Sequence, residues 1–149
     1  MKKMIYSLTA VVLIFSCSCC KTSKKNVSNG KYPLVGTQWN LTALEGEEIG
    51  ADFAMRPFIT FDTADKFTGN LGCNTFFGTY SVNKKQKMTI EFQGATKRLC
   101  QQMGVERRFI KALKSDIVRY KIQGDELNLF IEDDIEVMRF TGVDLGKVE

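Results

Sequence analysis

Between residues 39 and 140 the apolar side chains recur at every second position in a series of short segments. That period constrains the fold more than any other feature, because a chain alternating this way buries one face only as an extended strand. Trp39–Leu44, Phe58–Asp62, Phe67–Leu71, Phe76–Val82, Lys87–Phe92, Arg119–Ile122, Leu127–Ile131 and Glu136–Phe140 all carry the pattern. Gly124-Asp125 and Asp133-Asp134 separate the last three, and these residues tolerate turn dihedrals that others resist. About eight short antiparallel strands at such spacing predict a sandwich or barrel.

One segment departs from the period of two. From Val105 to Ile117 the apolar residues fall at 105, 109, 110, 112, 113 and 117. That is a helical stripe, and it predicts about three turns of helix packed on the sheet. Glu106, Arg107, Arg108, Lys111 and Lys114 fall largely on the other side, as a solvated face would. The expected class is therefore α+β. The 149 residues are 44% hydrophobic and 26% charged, which suits one domain. Phe67, Phe76, Phe77 and Tyr80 lie on strands, where aromatics fill cores more often than they stack on ligands.

The N-terminus carries an address. Lys2 and Lys3 precede an apolar run from Ile5 to Phe15, too short to span a bilayer as a helix and suited to a secretory signal. Ile14-Phe15-Ser16-Cys17 is similar to a bacterial lipobox, with an aliphatic residue three before the cysteine and a small one directly before it. Cys17 is then the lipidated first residue of the mature chain. Cys19 and Cys20 lack the aliphatic residue, and the alternative is ordinary secretion with cleavage near Ser16 or Ser18. Ser18 is not the Asp of an inner-membrane retention signal, so the expected location is the outer membrane, facing the periplasm.

Lys21 to Lys31 (KTSKKNVSNGK) holds one aliphatic residue and four lysines, the composition of a flexible tether. Net charge is +4, and six lysines, at 2, 3, 21, 24, 25 and 31, precede the domain, leaving −2 on the remainder. A nucleic-acid binder carries its positive excess on a folded face, so no nucleic-acid partner is expected. A leash near anionic headgroups uses these lysines better. The boundaries read 1–16 for the signal peptide, 17–32 for lipidated cysteine and tether, and 33–149 for the domain.

No histidine is present, which removes Ser-His-Asp and Cys-His nucleophiles and every His-containing zinc site. Two thiols remain in the domain, Cys73 and Cys100, without the spacing of a zinc site. An oxidising compartment favours a disulfide between them. Two buried free thiols and a redox pair are the alternatives. Gly69, Gly72 and Gly78 flank Cys73 and read as positions of positive φ or close backbone approach. No Lys-Ser or Lys-Thr follows them, so a phosphate cradle is not indicated.

Gly36–Leu41 (GTQWNL), Pro57–Asp62 (PFITFD), Gly69–Tyr80 (GNLGCNTFFGTY), Thr96 with Cys100, and Glu106 with Phe109, Ala112 and Leu113 occur in the order of the META domain. Over about residues 34 to 142 the chain resembles that family, which includes heat-inducible HslJ-like envelope lipoproteins. Arg98 and Leu99 stand where the family has Met and Ala. The resemblance implies a strongly bent antiparallel sheet with one helix against it, and an envelope location loosely linked to stress and drug tolerance. It supplies no catalytic residue set, cofactor or ligand. The motif positions it marks as structural are Trp39, Pro57, Phe61, Gly69, Gly72, Asn74, Gly78, Tyr80, Thr96 and Glu106.

The expected function is that of a membrane-anchored, non-catalytic domain that binds an envelope partner or supports envelope integrity, through a strand edge or the loops near Gly46 and Asn74. The alternative is a periplasmic hydrolase or lyase in which two of Asp62, Asp65, Glu91 and Glu106 converge in a cleft. Calcium at Asp62 to Asp65 or at Asp133-Asp134 is a third idea, although neither stretch has the ligand count of a loop site.

Overall fold

The computed structural model describes residues 29–143, apart from 51, 54, 101 and 102. The expected signal peptide, Cys17 and residues 21–28 of the expected tether lie outside the described residues. Strands run β1 (Asn29–Gly30), β2 (Gln38–Leu44), β3 (Glu47–Glu48), β4 (Phe58–Phe61), β5 (Lys66–Asn70), β6 (Thr75–Val82) and β7 (Met88–Ala95). Helix α1 (Met103–Leu113) follows, then β8 (Arg119–Gly124), β9 (Glu126–Phe130) and β10 (Glu136–Val143). They form a single sheet in the order β1-β8-β9-β10-β2-β4-β5-β6-β7, with β3 attached to β2.

Every pairing is antiparallel except β1 with β8. Asn29 and Gly30, which lie within the expected tether, pair as β1 with Gln123 and Gly124. The sheet curls into a half-barrel. Bulges at Arg139/Phe140, Glu136/Met138 and Phe77/Gly78 add to its twist. The curl brings the start of β7 round to β8, where the Met88 N–H donates to Val118 O at 3.0 Å and the Tyr120 N–H to Gln86 O at 3.0 Å. The class is α+β with a strongly bent sheet: the alternation predicts the antiparallel strands, and the family resemblance implies the bend.

The eight alternating segments are β2 and β4 through β10 without β1 and β3. Their inward residues make the core together with the buried face of α1, and Trp39, Phe61, Phe67, Phe76 and Phe140 of the strands and Phe109 of α1 are fully buried. These rings form a nearly continuous row. Tyr80 meets Phe61 at 4.8 Å between centroids, Phe67 meets Phe76 at 5.9 Å, and Phe109 of α1 lies 5.4 Å from Phe76 and 6.0 Å from Phe140. Edge and tilted contacts of this kind suit the quadrupoles of the rings. Through Phe109, α1 plugs the inside of the curl.

Two glycines of the motif exist for these rings. Phe67 sits opposite Gly78 and Gly69 opposite Phe76 across the β5–β6 pair. A Cβ on Gly69 would strike Phe58 O and the Phe76 ring, and one on Gly78 would strike Glu91 O and the Phe67 ring. Each phenylalanine thus lies across the bare backbone of its partner strand, a reason for Gly in a strand interior.

Helix α1 runs two residues earlier than the sequence stripe and stops at Leu113. The Ser115 hydroxyl donates to Ala112 O at 2.6 Å and takes up a carbonyl of the last turn. Ile117 is buried all the same, from the loop after the helix. Among the described residues no helix is long and apolar enough to cross a membrane.

Candidate functional site

The Gly-Asn-Leu-Gly-Cys-Asn stretch leaves β5 and turns into β6. Gly72 takes φ +105°, and its N–H donates to Asn70 Oδ1 at 2.7 Å, so the turn closes on its own side chain. The Leu71 N–H donates to Asn74 O at 2.7 Å. This geometry points Asn74 inward, where it is 1% exposed.

Asn74 then uses its full hydrogen-bonding capacity. Its side-chain amide donates to Glu106 Oε1 at 2.8 Å and to Arg98 O at 3.0 Å. Its side-chain oxygen accepts from the Thr96 hydroxyl at 2.8 Å and the Arg98 N–H at 2.7 Å. Its backbone N–H donates to Glu106 Oε2 at 3.3 Å. Thr96 Oγ1 in turn accepts from the Thr75 N–H at 3.1 Å. One asparagine therefore ties together the β5–β6 turn, the segment after β7 and the first turns of α1. Glu106 is 5% exposed, on the buried face of α1 with Phe109, Ala112 and Leu113.

Cys73 and Cys100 are joined as a disulfide across the same junction, with 6.5 Å between Cα atoms. Arg98 Nη2 donates to Cys73 O at 2.8 Å. Arg98 is thus used where the family motif has Met, whereas the neighbouring Leu99 is 95% exposed.

Beside this junction lies a groove of about 550 Å³ between the end of β7, residues 96–99 and α1. Phe92, Ala95, Met103 and Ile110 give it apolar walls, and Lys97, Arg98, Arg107 and Lys114 stand around it. The Lys114 ammonium lies over the Phe92 ring, 5.1 Å from its centroid. Met103, Arg107, Ile110 and Lys114 recur at i, i+4, i+7 and i+11, one stripe of a helix. That mixed stripe is the signal in the sequence that points to the groove. Its cations also fit a plain solvated face, and that simpler reading hides it.

The remaining motif residues are placed in the framework of the sheet. Trp39 Nε1 donates to Leu34 O at 3.0 Å, and Pro57 O accepts the Leu41 N–H at 2.8 Å. The Tyr80 hydroxyl donates to Asp62 O at 2.6 Å. Burial raises the Tyr80 pKa, with the nearby Asp65 and Asp62 adding to the effect, and burial also raises that of Tyr120. Phe67, Phe76 and Tyr80 are core, while Phe77 is 52% exposed on the outside of β6.

The four candidate carboxylates fall in three places. Asp62 Oδ1 accepts from the Ala64 and Lys66 N–H groups, both at 2.9 Å, and Asp65 takes φ +57° in the same β4–β5 turn. Glu91 is exposed on β7 beside Thr79. Glu106 alone of the four lines the groove. Asp134 pairs with Arg119 at 2.7 Å, and Asp133 takes φ +59° in the β9–β10 turn. Among the described residues no three of Cys, Asp and Glu gather as a metal site. Of the two loops expected to offer a binding surface, the turn at Gly46 is exposed, but Asn74 is buried and fully engaged, so its side chain is not available at the surface.

Comparison with solved structures places the fold among known ones. A protein of Burkholderia xenovorans solved by NMR is 24% identical over 74% of this chain and 83% of that one, with a TM-score of 0.57. A further protein solved by NMR is 17% identical over 70% of this chain and 87% of that one, with a TM-score of 0.53. A DUF4847 family protein from Bacteroides vulgatus is 27% identical, with a TM-score of 0.46, and the match spans 57% of either chain. No curated protein matches. The META domain family model matches residues 32–144, which takes in every strand from β2 onward, the Asn74 junction and the groove. The chain belongs to the META domain family.

Proposed function

We propose that the protein is a lipid-anchored envelope domain, tethered through Cys17 to the outer membrane, that acts by binding and supports the envelope under stress. The observation that carries the non-catalytic reading is the saturation of the family motif. Its most polar members, Asn74, Thr96 and Glu106, spend their hydrogen bonds on one another and on backbone. A buried polar network of this kind fixes a fold and offers no free acid or nucleophile. What stands open next to it is a concave, largely apolar surface, the usual form of a binding site.

The Cys73–Cys100 bond supports an oxidising compartment. The signal-like run, the lipobox-like Ile14-Phe15-Ser16-Cys17 and a leash rich in lysine support an anchor beside anionic headgroups. Metabolic labelling with a clickable fatty acid tests the anchor. The wild-type chain is expected to be labelled and to fractionate with the outer membrane, and Cys17→Ala to be unlabelled. An unlabelled, cytoplasmic wild-type chain overturns the reading.

A further inference from the structure

We infer that the groove between β7 and α1 binds a single-chain anionic amphiphile, an apolar chain ending in a carboxylate or phosphate. This deepens the binding reading above and rests on it. The first reason is charge. Arg108, Lys111, Arg119 and Arg139 are all held in ion pairs. The four cations around the groove have no carboxylate partner among the described residues. Arg98 donates to the Cys73 carbonyl, and Lys114 rests on the Phe92 ring. Against these four stands one acid, Glu106, whose two oxygens already accept from Asn74. An anion arriving at this rim meets four cations without a carboxylate partner against one buried carboxylate, a net positive field.

The second reason is the interior. Phe92, Ala95, Met103 and Ile110 offer apolar surface, and Met adapts its shape to what enters. The polar atoms that border the groove, on Asn74, Thr96 and Glu106, are engaged with each other. A bound peptide would have only the outer edge of β7 to pair its backbone with, and its N–H and C=O groups turned toward the apolar walls would find no partners, at a desolvation cost. An alkyl chain brings none. Its single polar end needs only the rim. A volume of about 550 Å³ lies within the range of small-molecule sites. The protein's own leash is a poor occupant, since its four lysines would face four more cations.

The test uses the full chain, held in vesicles of zwitterionic phospholipid, and a photoreactive alkynyl dodecanoate added as monomer. Cross-links are expected on peptides within residues 92–114. Excess dodecanoate or dodecyl phosphate should displace the probe, and dodecyltrimethylammonium should not. Arg107→Glu with Lys114→Glu, both exposed positions, should lower labelling about tenfold, the effect of losing two partly exposed ion pairs. The thermal midpoint should fall only slightly, through loss of the exposed Lys114–Phe92 contact. Lys111→Glu, on the ion-paired side of the helix, should leave labelling intact.

Labelling scattered over the chain, or equal displacement by the cationic chain, overturns the proposal. So does clearance of the probe by an acidic, apolar peptide where dodecanoate fails, which would mean a protein partner. Clearance by anionic vesicles alone would mean a membrane surface and overturns it too. Failure here with Cys17 lipidated leaves the anchored domain standing, and an unlipidated Cys17 with a labelled groove removes the anchor and keeps the ligand.

Discussion

The two flanks of α1 carry the same residue types and use them in opposite ways. On one flank Arg108 reaches Glu47 at 2.7 Å, Glu45 at 3.6 Å and the Leu44 carbonyl at 3.1 Å, and Lys111 reaches Glu45 at 3.5 Å. On the other, Arg107 and Lys114 border the groove with no carboxylate partner among the described residues, the one acid there, Glu106, being bound to Asn74. The buried face between them is the same for both. The difference is made by what the sheet brings alongside: the acidic β2–β3 turn on one side, and the junction at Asn74 on the other. A cation on a helix therefore takes its role from the topology around it, and helix composition alone does not assign it.

The sharpest way to break this contrast is to release the wall of the open flank. Replacing both Cys73 and Cys100 by Ser removes the covalent tie of residues 96–100 to the β5–β6 turn and leaves it to the hydrogen bonds of Asn74 and Arg98. With a sequence separation of 27 between the cysteines, the expected loss is about 3.5 kcal/mol on the loop-entropy account, read from urea unfolding. Amphiphile labelling should fall with it, while the Arg108 contacts persist. If labelling survives the loss of the bond, the groove is held by something else.

Next in size is Asn74→Ala, which strips the Glu106 carboxylate of its side-chain donor in a buried setting. The expected cost is about 3 kcal/mol, since hydrogen bonds to a charged group are strong and leaving one unmade is worse. Adding Glu106→Leu should recover part of that loss, because the two residues form one network. Additive losses in a double-mutant cycle would contradict the network.

Most of the sheet is legible in the sequence because its signal is local. Each of the eight alternating segments needs only its own residues to declare a buried face, and Gly124, Asp125, Asp133 and Asp134 mark their own turns. β1 and β3 have two residues each, Asn29-Gly30 and Glu47-Glu48, which is too short for any period and too polar to signal burial. The helix boundary shifts for a related reason, as Ile117 continues the apolar stripe but is buried from a loop. The candidate site is legible only in its fixed half. The motif at Gly69–Tyr80 announces itself, yet the groove depends on Phe92 and Ala95 meeting Met103 and Ile110, and on Arg108 finding Glu47 61 positions away. Such contacts belong to the curl of the sheet, and no local pattern encodes them.

The smallest predicted effect bears most directly on the comparison. Arg108→Ala removes the ion pairs with Glu45 and Glu47 and one hydrogen bond to the Leu44 carbonyl, at an expected cost of about 1 kcal/mol, because these side chains are partly exposed. Arg107→Ala should cost close to nothing in stability, since it breaks no pair. Salt separates the two further: at about 1 M the Debye length falls to about 3 Å, so the Coulombic share of the Arg108 effect should shrink. The share due to the lost hydrogen bond to the Leu44 carbonyl should remain. The Arg107 variant should show no comparable dependence on salt. Equal losses for the two variants in low salt would mean that Arg107 has a structural partner, and the open flank would then serve the fold to the same degree as the ion-paired one.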